Sequence, residues 1–255
     1  MISHVSEKKI TLVRWTLVLV WAGIFSLLIH DPLTIQLTSA DNVNSPFAIN
    51  LQRDIIFQGE VITQSSYSML NRIFWTMIIP LVPFLLLVFG HNIWRRICPL
   101  SALMQIPRLL GIQRKQETVH PVTGNKTKST VKIKEDSWIA KNYWFVQFFL
   151  LYSAVTGRIL FYNADPIGLA IVLGTIVICA MITGYLFAGK SWCHYVCPMA
   201  PVQKFYSGNA GVFEQKAHTK REPVSQSMCR TLNNQSACVA CKSNCPDIDL
   251  ERNYW

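Results

Sequence analysis

The chain has 255 residues, 51% of them hydrophobic and only 15% charged, with a formal charge of +10 at neutral pH. So apolar a composition excludes an ordinary soluble domain and makes a bilayer the solvent for much of the chain; the basic excess then reads as loops flanking membrane spans rather than as a nucleic-acid surface. Most of the eight cysteines fall in basic loops or the basic tail, which argues for the reducing side of the membrane, where thiols stay free to bind metal.

Residues 1–10 read as a cytoplasmic N-terminus, with Lys8 and Lys9 against Glu7. A first span is predicted over about 11–30, long enough for the ~20 residues a bilayer requires, with Arg14 snorkelling to the near interface and Asp31-Pro32 ending it. The run lacks a small-residue cleavage site and so reads as a retained anchor. Residues 31–72 turn polar and mildly acidic, as an external loop would, and Phe47–Ile62 shows no clean period. A second span covers about 73–91, where Pro80 and Pro83 predict kinks.

The loop 92–142 carries ten Lys/Arg and three acids, which orients it to the cytoplasm. Within it, Pro99–Gly111 reads as a short interfacial amphipathic helix and Val119–Lys134 as a hairpin around Thr123-Gly124-Asn125. A third span follows at about 143–162, containing Gln147 and Arg158, the latter placed to snorkel outward. After the turn Asn163–Pro166 comes a fourth span, about 167–187. Residues 191–255 form a cytoplasmic cysteine-rich tail, with a polar linker over Ser207–Ser227. The expected fold is therefore an all-α integral membrane protein: a four-helix membrane domain over 11–190, in two hairpin repeats, followed by a small ferredoxin-like iron–sulfur segment.

The repeat is visible in two motifs. Cys98-Pro99 follows the second span and Cys197-Pro198 the fourth, with Gln105 and Gln203 in nearly equivalent places downstream. Such a pattern implies parallel repeats about an axis along the membrane normal, bringing Cys98 and Cys197 together at one face.

In the tail, Cys238, Cys241, Cys245 and Pro246 form C-x2-C-x3-C-P, the last three ligands of the bacterial ferredoxin run. Gln235 stands where the first ligand belongs, so Cys229, nine residues upstream of Cys238, is recruited as the fourth. Loop closure allows this, because its cost grows only logarithmically with length. A four-cysteine zinc site prefers two C-x2-C knuckles, and one is present, so the spacing favours iron–sulfur over zinc. Cys193-x3-Cys197 is a second constellation, with both thiols on one helical face below the fourth span. With Cys98 it makes a candidate second thiol site for metal, or else a set of interface cysteines. Trp94 is read as matching Cys193, leaving three thiols and a fourth ligand to be borrowed from His194 or the tail. Cys179, inside the fourth span, reads as a packing residue. His30 and His91 fall at opposite membrane faces, which argues against a haem clamped between them. Gln147, Arg158, Tyr143 and Tyr185 are candidates for lining a quinone pocket, or interface anchors.

Four spans, Cys-Pro motifs after the second and fourth, and C-x2-C-x3-C-P followed by Ile248-Asp249-Leu250 resemble the NapH/NosR-type membrane polyferredoxins, a group that includes RdxA/FixG-like proteins. The resemblance runs from about residue 12 to the end. It implies [4Fe–4S] clusters that pass electrons between quinols or flavin partners and a redox enzyme. In that family C-x3-C-P usually occurs twice with two clusters; here the first motif keeps only Cys98-Pro99 and one cluster run is seen, as in a single-cluster member or a fragment of a longer chain. The expected function is electron relay at the cytoplasmic face of the cell (inner) membrane, with both termini and the metal-site cysteines inside. Its basic loops would attract an acidic ferredoxin or flavodoxin, or a quinone-linked complex would serve as partner. The alternative is a non-redox regulatory or assembly protein that senses iron or oxygen through its cysteines.

Overall fold

The computed structural model describes residues 7–32, 34–42, 44–50, 55–57, 60–62, 66–89, 94, 97–119, 126–131, 133–163, 165–187 and 191–207. The described chain is predominantly helical, and four of its helices are long and apolar enough to cross a membrane: Leu12–Ile29, Met69–Phe89, Trp138–Tyr162 and Pro166–Leu186. The predicted spans are all present, with the second and third beginning about a turn earlier than the hydropathy implies.

Local chemistry explains the ends. The first helix, Glu7–Ile29, stops where Asp31 accepts from the Thr34 amide at 2.8 Å and opens a separate short helix, Thr34–Thr38. Ser137 caps the third span, accepting from the Ala140 amide. Asn142 leaves helical geometry (φ −115°, ψ 17°), so the unbroken part of that helix begins at Tyr143, where the apolar run does. Asp165 caps the fourth span through the Ile167 and Gly168 amides, with Pro166 at the first helical position.

The spans are not uniformly α-helical. Phe74–Ile78 is a π-helical turn ahead of Pro80 and Pro83, and Arg158–Tyr162 is another at the end of the third span. Two small antiparallel hairpins accompany the helices. Strands β1 (Ile55–Phe57) and β2 (Glu60–Ile62) pair within the stretch that showed no clean period. Strands β3 (Lys115–Val119) and β4 (Lys126–Thr130) pair about four residues earlier than the predicted hairpin, and its expected turn residues Thr123-Gly124-Asn125 lie outside the described residues.

Buried side chains gather at the two ends of the bundle, and the sides face lipid. At one end Leu28, Phe74, Tyr162, Leu169 and Ala170 pack together. At the other, Met104, Ala180, Trp192, Cys197 and Ala200 do so. This second end holds both Cys-Pro motifs and is called the cysteine end below.

The two halves are built alike. Each Cys-Pro precedes a short helix, Pro99–Leu103 or Ala200–Ser207. The first of these packs against the first span and the fourth; the second packs against the third span and the second. Each short helix therefore touches the leading span of its own half and the trailing span of the other half, as a pseudo-two-fold axis requires. The expected interfacial helix Pro99–Gly111 is in fact two, Pro99–Leu103 and Ile106–Leu110, with Met104 between them sunk into the core and Gly111 ending the second at φ +78°.

Candidate thiol site at the cysteine end

Both Cys-Pro cysteines stand just outside a helix with the same backbone: φ −51°, ψ 120° at Cys98 and φ −53°, ψ 119° at Cys197. A residue preceding proline is driven to such extended ψ values, and each carbonyl still accepts the first bond of the turn that follows, from Ala102 at 3.2 Å and from Ala200 at 3.1 Å. Upstream, the Cys98 amide donates to the Trp94 carbonyl and the Cys197 amide to the Trp192 carbonyl, each at 2.8 Å.

That pairing changes the register of the repeat. Trp94 corresponds to Trp192, not to Cys193 as the sequence comparison has it. The second half holds one more residue between tryptophan and cysteine, and accommodates it as the π-helical turn Trp192–Val196. Cys193 is thus part of a one-residue insertion in the second half rather than a ligand missing from the first. Single π turns of this kind recur at functional sites.

The three thiols approach one another without forming a cage. Cys197 is buried among Met104, Ala180, Trp192 and Ala200. Cys98 and Cys193 are half-buried, and the Cys193 Sγ lies 3.9 Å from the Met104 Sδ, a contact between the two halves. Burial drives the Cys197 thiol pKa far above the ordinary thiol range, and the neighbouring Cys193 and Cys98 push it the same way. Among the described residues no group of three or more His, Cys, Asp or Glu side chains is placed to hold a metal ion. Among the described residues the candidate second thiol site is therefore a set of neighbouring thiols and not a metal cage.

A polar and aromatic frame fixes the turn that carries Cys193. Gln147 of the third span, 2% exposed, donates from Nε2 to the His194 carbonyl at 2.7 Å. The His194 ring stacks on Tyr143 (centroids 5.5 Å, 21°) and meets Tyr195 edge-on at 4.5 Å, which engages it in an aromatic pile. Burial raises the Tyr195 pKa, with smaller contributions from Glu135 and Tyr143. On the other side, the Gln113 Nε2 donates to the Gly184 and Phe187 carbonyls, each at 3.1 Å, and the Arg114 amide donates to the Tyr185 carbonyl. Free carbonyls at the end of the fourth span are satisfied this way, and the β3–β4 hairpin is tied to the cysteine end.

Other predicted residues fall elsewhere. Cys229, Cys238, Cys241 and Cys245 lie outside the described residues, as do the Ser207–Ser227 linker beyond Ser207, and His91. Cys179 is exposed on the side of the bundle, so it faces lipid rather than packing. The four quinone candidates do not converge. Tyr143 and Gln147 surround His194 and Tyr185 is beside Arg114, whereas Arg158 lies over Trp75 at the opposite end. With 1.5 Å of rise per residue, Tyr143 and Arg158 are separated by roughly 22 Å along one helix. Sequence reasoning missed Met104 and Gln113: a methionine between two short helices and a glutamine before a strand carry no local signature, and their roles come from contacts with the other half. Comparison with protein families, with curated proteins and with solved structures finds no match to this chain.

Proposed function

We propose that this chain is a membrane-anchored iron–sulfur electron carrier, in which Cys229, Cys238, Cys241 and Cys245 hold one [4Fe–4S] cluster in the tail, in the manner of the membrane polyferredoxins it resembles. The spacing of C-x2-C-x3-C-P carries the reading. The fold supports it at one point: the Ala200–Ser207 helix is held against the second and third spans, so the tail starts at the end of the bundle that bears both Cys-Pro motifs. Residues 191–207, counted with the tail on sequence grounds, are thus its root in the membrane body.

Among the described residues no set of thiols is placed to hold the cluster, so the assignment rests on the tail cysteines alone. When bound, the cluster supplies a one-electron carrier whose potential follows hydrogen bonding and exposure. Exposed Arg114, Lys115, Lys134 and Lys141 supply positive charge for steering an acidic ferredoxin or flavodoxin. On this reading the cysteine end faces the cytoplasm of the cell membrane, and electrons pass between a quinone pool and that partner.

Purification without oxygen should yield iron and acid-labile sulfide, broad visible absorbance and a paramagnetic signal on reduction. Cys241→Ser should remove these, and Cys179→Ser should leave them in place. Stoichiometric zinc without iron would overturn the proposal, and an intact cluster that no cellular donor reduces would favour a sensing or assembly role.

A further inference from the structure

The end of the bundle away from the cysteines carries two arginines inside the spans, Arg72 near the start of the second and Arg158 near the end of the third. Ionisable side chains there are costly and call for a partner, and a basic pair at this end runs against the bias that collects Lys and Arg in the loop 92–142. Among the described side chains neither arginine is paired with a carboxylate. Each lies instead on an aromatic face: the Arg72 guanidinium is 3.9 Å from the Tyr67 ring centroid and Nη1 donates to the Tyr67 hydroxyl, and the Arg158 guanidinium is 4.4 Å from the Trp75 ring. Arg158 therefore turns inward onto the neighbouring span rather than snorkelling freely.

This platform is built. Trp75 stacks on the buried Tyr162 at 6.1 Å and meets Phe74 edge-on at 5.2 Å, and the Tyr162 hydroxyl donates to the Ala154 carbonyl. Arg158 opens one π-helical turn and Trp75 lies in another, the kind of irregularity that clusters at functional sites. Trp75, over which the Arg158 guanidinium lies, follows Arg72 by three residues along the second span, so both arginines belong to one stretch at this end of the bundle. An aromatic ring occupies the flat face of a guanidinium and leaves edge donors for an oxyanion, with the fork geometry that suits phosphate. Ile159, Leu160 and Phe161 directly after Arg158, and Met77 two residues after Trp75, are strongly exposed and apolar. Acyl chains would lie against these residues.

We infer that Arg72 and Arg158 together hold the phosphate of an anionic phospholipid at the membrane interface away from the cysteines. The chemistry recognised is a phosphate oxyanion on a head group of net negative charge, with no choline cation to offset it, and the apolar apron favours the lipid as its source over phosphate in solution.

Native mass spectrometry of the full chain taken from vesicles of equal phosphatidylglycerol and phosphatidylcholine tests this. The native protein should retain phosphatidylglycerol preferentially. In R72Q/R158Q the ratio of retained phosphatidylglycerol to phosphatidylcholine should fall roughly thirtyfold, the loss of two basic contacts with an anionic head group. K115Q/K141Q, which removes the same charge at the other end, should keep the ratio. The singles R158K and R72Q should each lower it several-fold and serve if the double variant does not fold. No preference in the native protein, an equal fall in K115Q/K141Q, or no change in both singles would overturn the inference. Displacement of the lipid by millimolar inorganic phosphate would also overturn it, because the site would then take a soluble anion.

Discussion

Gly184 is where a single atom decides the packing. A Cβ there would enter the space of the Met104 carbonyl oxygen, which is backbone and cannot swing aside. Gly184→Ala should therefore cost on the order of 2 kcal/mol, as overpacking does. Thermal unfolding in detergent should show a lower midpoint, and an unchanged one would refute the close approach. Cys197 makes a second prediction at this scale. Its thiol pKa is raised above the ordinary 9.0, chiefly by burial. A raised folded pKa means that the stability due to the neutral buried thiol is complete below about pH 9, where the unfolded thiol also keeps its proton. That stability declines as pH climbs above this value, because only the unfolded chain ionises. Stability followed between pH 7 and 10 should fall less steeply in Cys197→Ala than in the native protein. In the folded protein Cys197 should also resist maleimide at pH 8 and react after denaturation; rapid labelling of the folded form would contradict its burial. Gln147 could be recognised in the sequence only as a polar residue inside a span. Its bond to the His194 carbonyl, across 47 positions, could not.

Among the elements, the spans were legible and the connections were not. Apolar runs of about 20 residues report helices because a bilayer leaves the backbone no other hydrogen-bonding partner than itself. The β3–β4 hairpin was recognised but displaced by four residues, because its turn residues mark a loop without stating the register, which the anchoring of Gln113 and Arg114 to the fourth span sets. Gln113→Ala should loosen that anchor. Trypsin should then cut after Arg114 or Lys115 markedly faster than in the native chain, while the spans stay protected; equal cleavage would show that the hairpin is held by something else. The insertion at Cys193 was read as a substitution, with Trp94 of the first half standing in the place of Cys193. Counting residues back from Cys-Pro assumes an α-helical turn in both halves, and the second half uses a π turn.

For the whole molecule the duplication has a mechanical consequence. Because each short helix after a Cys-Pro packs on the trailing span of the other half, neither half completes its own core. Cleaving the purified protein once between β3 and β4 should leave two fragments that co-elute in mild detergent and separate only on denaturation. Free separation in mild detergent would refute the exchange of packing between halves.

Residues alone determined that this is a four-span helical membrane protein with Cys-Pro punctuation after each pair of spans and a C-x2-C-x3-C-P run over Cys238–Pro246, because length, apolarity and residue spacing are local quantities that need no folding to be read. Only the tertiary structure decided that Trp94 matches Trp192, that Cys197 is sealed among Met104 and Ala180, and that Arg158 lies on Trp75. Each of those depends on which spans become neighbours, and in a bundle of similarly apolar helices that choice follows from close approach at small residues such as Gly184 and from polar groups finding partners in the other half.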